Sequence, residues 1–247
     1  MNFVARLAAH SSAALAPLLY VQGIITRARI VRLPEASGPR QGSIQGEPNQ
    51  LRVLLLGEST VAGVGATDHN EGLAGRMAQD LSAMTGATIN WQVHAANGLT
   101  ASSLRSSLKK MSVDMRPDVF IIALGANDVF RLQGPGKWRK DLRSLIDTLR
   151  DQFGFAPVMI SALPPIGQFP GLPQPLRSVL GLRARLLDHA TIELAKKMAG
   201  VHFVPLFTTE DPEGLFCSDG IHPSPACYAL WARHLAEATL DRLPKRG

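Results

Sequence analysis

Apolar and polar positions divide most of the chain into alternating blocks. The run Leu51-Arg-Val-Leu-Leu-Leu-Gly-Glu-Ser-Thr60 is largely aliphatic as far as Gly57 and then turns polar. Short apolar runs closed by glycine and polar residues read as strands buried on both faces of a parallel sheet. Residues 88–94, 117–124, 157–163 and 201–206 have the same character. Helical spacing fills the intervals. Leu73, Met77, Leu81 and Met84 fall in line over 71–84 with Gly86 as a stop, and further helices are expected at about 101–111, 138–153, 176–199 and 225–240. This alternation predicts an α/β fold: a five-stranded parallel sheet with helices on both faces.

Residues 1–50 depart from that rhythm. Between Arg6 and Arg27 there is no Asp, Glu, Lys or Arg, and Arg27, Arg29 and Arg32 follow. The apolar run is barely long enough to span a bilayer and is interrupted by His10, Pro17, Gln22 and Gly23. Three readings follow, in order: a helix packed on the domain or lying on a membrane surface, a membrane anchor, and a cleaved signal. The last rests on Ala14-Leu15-Ala16, with Pro17 against it. An inserted segment with this basic flank keeps the downstream domain on the cytoplasmic side. The expected location is therefore cytoplasmic with membrane contact through residues 1–32, and secretion is the remaining alternative. Residues 33–50, rich in Pro, Gly, Gln and Ser, read as an extended connector. The expected division is residues 1–50 as an apolar, basic segment and connector, and 51–247 as one domain, which a chain of 247 residues can fill with one core.

Charge and composition narrow the function classes. The net charge is +6, and residues 1–50 supply half of it, with five Arg against two acidic residues. The remainder has no run of Lys/Arg interleaved with aromatics, so no nucleic-acid partner is expected. Two cysteines, Cys217 and Cys227, make neither a disulfide framework nor a zinc site. The loop Val61-Ala-Gly-Val-Gly-Ala-Thr67 lacks the third glycine of a dinucleotide fingerprint and the Gly-Lys-Ser/Thr of a P-loop. Its small residues are expected to let backbone approach a substrate closely. No metal or organic cofactor is implied.

Parallel strands deliver their following loops to one sheet edge, where ligand sites form in open α/β folds. Ser59 follows the first strand, Asn97-Gly98 the second and Gly125-Ala-Asn127 the third, while Asp219 and His222 precede the last helix. Acyl transfer needs a nucleophile, a base, a group that orients the base, and donors for an oxyanion. Ser59, His222 and Asp219 match the first three, since imidazole titrates near neutral pH and a carboxylate one turn upstream can fix its tautomer. The N–H groups of Ser59 and Gly98 and the side-chain amide of Asn127 match the fourth. Each piece alone also reads as ordinary structure: Ser59 as a helix cap, Gly98 as a helix-start glycine, Asn127-Asp128 as turn residues, and 219–223 as a turn entering a helix. The conjunction, in this order and at strand ends, is what points to chemistry.

That conjunction resembles the SGNH (GDSL-type) hydrolases. Gly57-Glu-Ser59 is similar to the family's Gly-Asp-Ser block, with Glu58 in place of Asp. Gly98 after Asn97 matches the glycine block, Gly125-Ala-Asn127-Asp128 matches Gly-x-Asn-Asp, and Asp219-Gly-Ile-His222 matches Asp-x-x-His. The resemblance covers residues 51–240. It implies a flavodoxin-like three-layer α/β/α sandwich, with Ser59, Asp219 and His222 as the triad and Ser59, Gly98 and Asn127 as the oxyanion hole. The α/β-hydrolase fold fits less well, because its Gly-x-Ser-x-Gly elbow would need glycine where Val61 stands. The implied activity is carboxylic ester hydrolysis through an acyl-enzyme, on a small-molecule or lipid-like ester. Short-chain esters, lysophospholipids, thioesters and acetylated sugars all remain open. The alternatives are a retired SGNH-fold binding module and a peripheral membrane protein. Specificity is expected in 129–138, 163–176 and 215–216, with Phe130, Phe169 and Phe216 suggesting an apolar pocket. His94 and Cys217 lie near the site in sequence, His94 as a supporting residue or an ordinary partly buried histidine.

Overall fold

A computed structural model describes residues 16–109, 111, 115–209 and 214–243. Ala14 and Leu15 of the signal-like pattern lie outside them. Six strands form one sheet: β1 (Gln41–Ile44), β2 (Glu47–Gly57), β3 (Ala87–Ala95), β4 (Val119–Ala123), β5 (Val158–Ser161) and β6 (Val201–Val204). Their order is β1-β3-β2-β4-β5-β6, and every pair is parallel except β1 with β3. The five parallel strands are those expected, in the flavodoxin-like arrangement.

The sixth strand was not expected. Residues 33–50 read as a connector, yet 41–44 pair antiparallel with β3 and 47–50 extend β2. Gln-Gly-Ser-Ile carries no apolar alternation because an antiparallel edge strand leaves one side in water. Pro48 falls within the register irregularity between Glu47 and Gln50, where a missing N–H is tolerated.

Alternate residues of β2 enter opposite layers, as the pleat requires. Leu54 and Leu56 pack with α3 (Ala101–Leu108), α5 (Pro135–Phe153) and α6 (Leu176–Ala195). Leu51, Val53 and Leu55 pack with α2 (Leu73–Thr85) and α7 (Pro225–Leu240). A short helix, α4 (Ala126–Phe130), replaces part of an expected loop, and a 3-10 turn (Ile166–Gln168) sits in the Pro-rich segment. Helix ends follow local chemistry: α5 starts at Pro135, three residues early, as Pro suits a first helical turn. Gly86, left-handed at φ 71°, closes α2 by donating to Ser82 O.

The N-terminal helix α1 (Ala16–Arg29) lies against α6. Gln22 Nε2 donates to Gln174 O at 2.7 Å, and Leu176 N–H donates to Gln22 Oε1 at 3.2 Å. Among the described residues no helix is long and apolar enough to cross a membrane. After α1 the chain runs beside the ends of β2 and β3, where Asn97 N–H donates to Glu35 Oε1 at 2.7 Å and Arg40 donates to both Glu35 and Ala95 O.

Candidate active site

Ser59 stands where the parallel order reverses, with β2 flanked by β3 on one side and β4 on the other. In register, Gly57 faces Ala95 and Ala123, the last residues of those strands. The turn that follows presses on β4 so closely that a Cβ on Gly57 would lie 2.1 Å from Ala123 O, so only glycine fits. Buried Tyr228 of α7 then fixes the turn by donating toward Thr60 O and Val64 O at 3.0 and 2.8 Å. Ser59 is 8% exposed.

The loop before α7 brings the other residues to Ser59. Asp219 Oδ1 accepts from the N–H groups of Ile221 and His222 at 2.9 and 3.0 Å, an Asx-turn that sets the backbone. Its Oδ2 lies 2.5 Å from His222 Nδ1, and His222 Nε2 lies 2.9 Å from Ser59 Oγ. Burial would raise the Asp219 carboxyl, but hydrogen bonds from the His222 ring and from the two N–H groups outweigh it and hold it below the usual carboxylate range. The ionised acceptor favours the tautomer with the proton on Nδ1, which leaves Nε2 free to accept from the serine. The three residues expected to meet do so in the geometry of a base between a hydroxyl and its orienting acid.

The 61–67 loop differs from expectation. Its glycines adopt positive φ and approach the chain itself: a Cβ at Gly63 would lie 2.4 Å from Ala36 Cβ, and one at Gly65 2.4 Å from Pro223 O. The smallness of Gly65 seats the loop carrying His222, and that of Gly63 seats the chain at Ala36, rather than a substrate. Cys217 borders the site, with Sγ 3.1 Å from Pro223 O and its thiol pushed up by burial. His94 is bound to Ser107 at 2.7 Å and does not line the cleft at Ser59.

Of the three expected oxyanion donors, the N–H groups of Ser59 and Gly98 engage no acceptor among the described residues. Asn127 is differently occupied. Its Nδ2 donates to Leu99 O at 3.1 Å and also to Glu58 Oε2, so both amide protons have partners. Glu58 also accepts from the N–H groups of Ala126 and Asn127 at 2.8 and 3.0 Å. The acidic residue before Ser59 thus caps α4 and grips the amide of Asn127. This contact was not readable from the sequence, where Glu58 was visible only as a departure from the family motif.

Glu58 is 2% exposed, and burial pushes its carboxyl up to about 7 against the N–H groups of Asn127 and Ala126, which pull it down. Asp128 beside it is fully buried and pushed up to about 6 for the same reason. A raised carboxyl makes the folded state bind a proton that the unfolded chain has already released. Its contribution to stability is therefore full below pH 4.5 and is lost as pH rises through about 7. The gap between those values is worth about 3 kcal/mol. Urea denaturation of wild type and Glu58→Gln at pH 4.5 and pH 8 should show their stability difference moving by about 2–3 kcal/mol in the variant's favour at the higher pH. A difference that stays constant would mean that Glu58 does not titrate in this range.

Ser59, Gly98, Asn127 and His222 all line one groove of about 1750 Å³. Phe130, Phe169 and Phe216 line it too, the last two meeting edge to face at 5.6 Å. Sequence reasoning placed these three correctly; it expected a helix at α1, packed on the domain or on a membrane surface, but not its place in the same wall.

Similarity to known proteins bears on the chain's identity. A GDSL-like esterase of Mycobacterium tuberculosis is 30% identical over 215 residues, covering 85% of this chain and 68% of that protein. In structure the fold is similar to a Clostridium thermocellum family 3 carbohydrate esterase (TM-score 0.63, 18% identity, 79% of this chain and 98% of that one). It is likewise similar to a lipase/acylhydrolase from Enterococcus faecalis (TM-score 0.61, 19% identity, 80% and 99%). Residues 55–230, which carry every strand-end motif described above, match the GDSL-like lipase/acylhydrolase family, and the chain belongs to that family.

Proposed function

We propose that the protein is a serine hydrolase of carboxylic esters that works through an acyl-enzyme. The observation that carries this reading is the line of contacts from Ser59 Oγ to His222 Nε2 at 2.9 Å and from His222 Nδ1 to Asp219 Oδ2 at 2.5 Å. Ser59 Oγ attacks the ester carbonyl while its proton passes to Nε2, and the N–H groups of Ser59 and Gly98 receive the oxyanion. Glu58 holds the amide of Asn127 beside them. The C–O bond to the alcohol then breaks, and the alcohol leaves with the proton from Nε2. A water, deprotonated by the same nitrogen, releases the acid and restores the serine.

Active-site labelling tests this assignment. One equivalent of a fluorophosphonate should attach to the wild type at Ser59, identified by peptide mass, and pre-incubation with ester substrate should slow it. Labelling elsewhere, or at no site, would remove Ser59 as an activated nucleophile.

A specific feature of α1 supports a second element of the reading, contact with an anionic membrane surface. Leu18, Val21 and Ile25 face away from the domain, 46%, 51% and 44% exposed, and Arg27, Arg29 and Arg32 follow them. An apolar face with a basic flank is the composition of a helix that lies in a lipid interface, and the arginines favour the cytoplasmic side. The protein should sediment with phosphatidylglycerol vesicles at low salt and much less with phosphatidylcholine. Exchanging Val21 and Ile25 for Asp should abolish this. Equal sedimentation by wild type and variant would assign the face another purpose.

A further inference from the structure

We infer that the groove beside Ser59 accommodates a long-chain acyl group and that α1, outside the region matched to the family, is the wall that makes room for it. The inference rests on the reading of Ser59 as the acylated residue and adds the substrate class, long-chain acyl esters.

Size is the first reason. At about 1750 Å³ the groove exceeds the roughly 300–1,000 Å³ of an ordinary small-molecule pocket. An acetyl or butyryl group would leave most of it holding water against apolar side chains.

Its walls are the second. Two helices contribute apolar side chains to it: Leu19 from α1, Val179 and Leu180 from α6. The 14 residues of α1 span roughly 21 Å at the helical rise. An acyl chain in one leaflet of a membrane occupies roughly 15 Å, half of the hydrocarbon core. The wall is therefore long enough for such a chain, and each methylene taken from water contributes about 0.8 kcal/mol.

Gly23 is the third. It lies on the inward face of α1, in line with Leu19, Thr26 and Ile30, each of which is less exposed than its outward neighbours. A glycine inside a helix costs about 1 kcal/mol relative to alanine, and no close approach among the described residues demands it here, since a Cβ built at Gly23 meets none of them within 4 Å. The space in front of it belongs to the groove. A larger side chain would enter that space without disturbing the backbone.

The experiment compares wild type, Gly23→Ala and Gly23→Phe on p-nitrophenyl acetate, octanoate and palmitate. Wild type should favour the longer chains in kcat/KM. In Gly23→Phe the palmitate-to-acetate ratio should fall by about tenfold or more, the scale on which a pocket discriminates one or two methylenes, with Gly23→Ala in between. A ratio unchanged by Gly23→Phe, or a wild type that favours acetate, would overturn the inference. Binding of a dansylated undecanoic acid to Ser59→Ala, followed by fluorescence, reads the groove without turnover. Saturable binding that Gly23→Phe weakens about tenfold or more supports the acyl groove even if the acyl-enzyme reading fails. Absence of such binding refutes the groove even if Ser59 reacts.

Discussion

Ser59→Ala is expected to lower kcat on p-nitrophenyl esters by about 10⁴–10⁶-fold and to leave the fold intact. The removed oxygen is the atom to which the acyl group would attach, and no neighbouring hydroxyl stands at hydrogen-bond distance from His222 Nε2 to replace it among the described residues. What survives is the groove and the N–H donors of Ser59 and Gly98, which alone supply a residual acceleration over water of about 10³–10⁴. His222→Ala in the same background should add little, because residues that act as a unit do not contribute separately. Steady-state rates of the single and double variants check both statements. A Ser59→Ala protein retaining a tenth of wild-type activity would show that the chemistry runs elsewhere.

Asp219→Asn is expected to cost about 10⁴-fold in kcat. The side-chain oxygen of Asn can still accept from the N–H groups of Ile221 and His222, so the Asx-turn is retained. The second oxygen becomes an NH₂ facing His222 Nδ1. That ring nitrogen must then accept, the proton moves to Nε2, and a donor points at Ser59 Oγ where an acceptor is required. The loss should appear in kcat far more than in KM, because the groove is untouched. A loss confined to KM would mean that Asp219 shapes binding and not the tautomer.

Some parts of this site were open to inspection in the sequence and others were not, for physical reasons. The apolar run 51–56 announces a strand buried on both faces, because each of its faces meets a helix layer. Ser59, Gly98, Asp219 and His222 could be placed because parallel strands carry their loops to a common edge whatever the separation along the chain. Register and reach were harder to read. The amide of Asn127 donates to the Glu58 carboxylate and to Leu99 O, contacts set by side-chain reach, which no periodicity records. Strand β1 was hidden because an edge strand of four residues with Gly and Ser has no apolar signature. Helix α1 was ambiguous for the opposite cause. Apolar residues surround it, so no stripe told which side lies on the groove and which meets solvent.

The contact between Glu35 and the N–H of Asn97 links the chain ahead of the family region to the loop that carries Gly98. It makes the N-terminal portion part of the tool rather than its handle. A protease that clipped between α1 and β1 would leave the helix that forms a wall of the groove held only by its contacts with the start of α6, and it would also loosen the backbone meant to receive the oxyanion. If α1 also makes the membrane contact proposed above, position at a lipid surface and competence for turnover would then fail together, so that a molecule detached from that surface would be quiet rather than active at large.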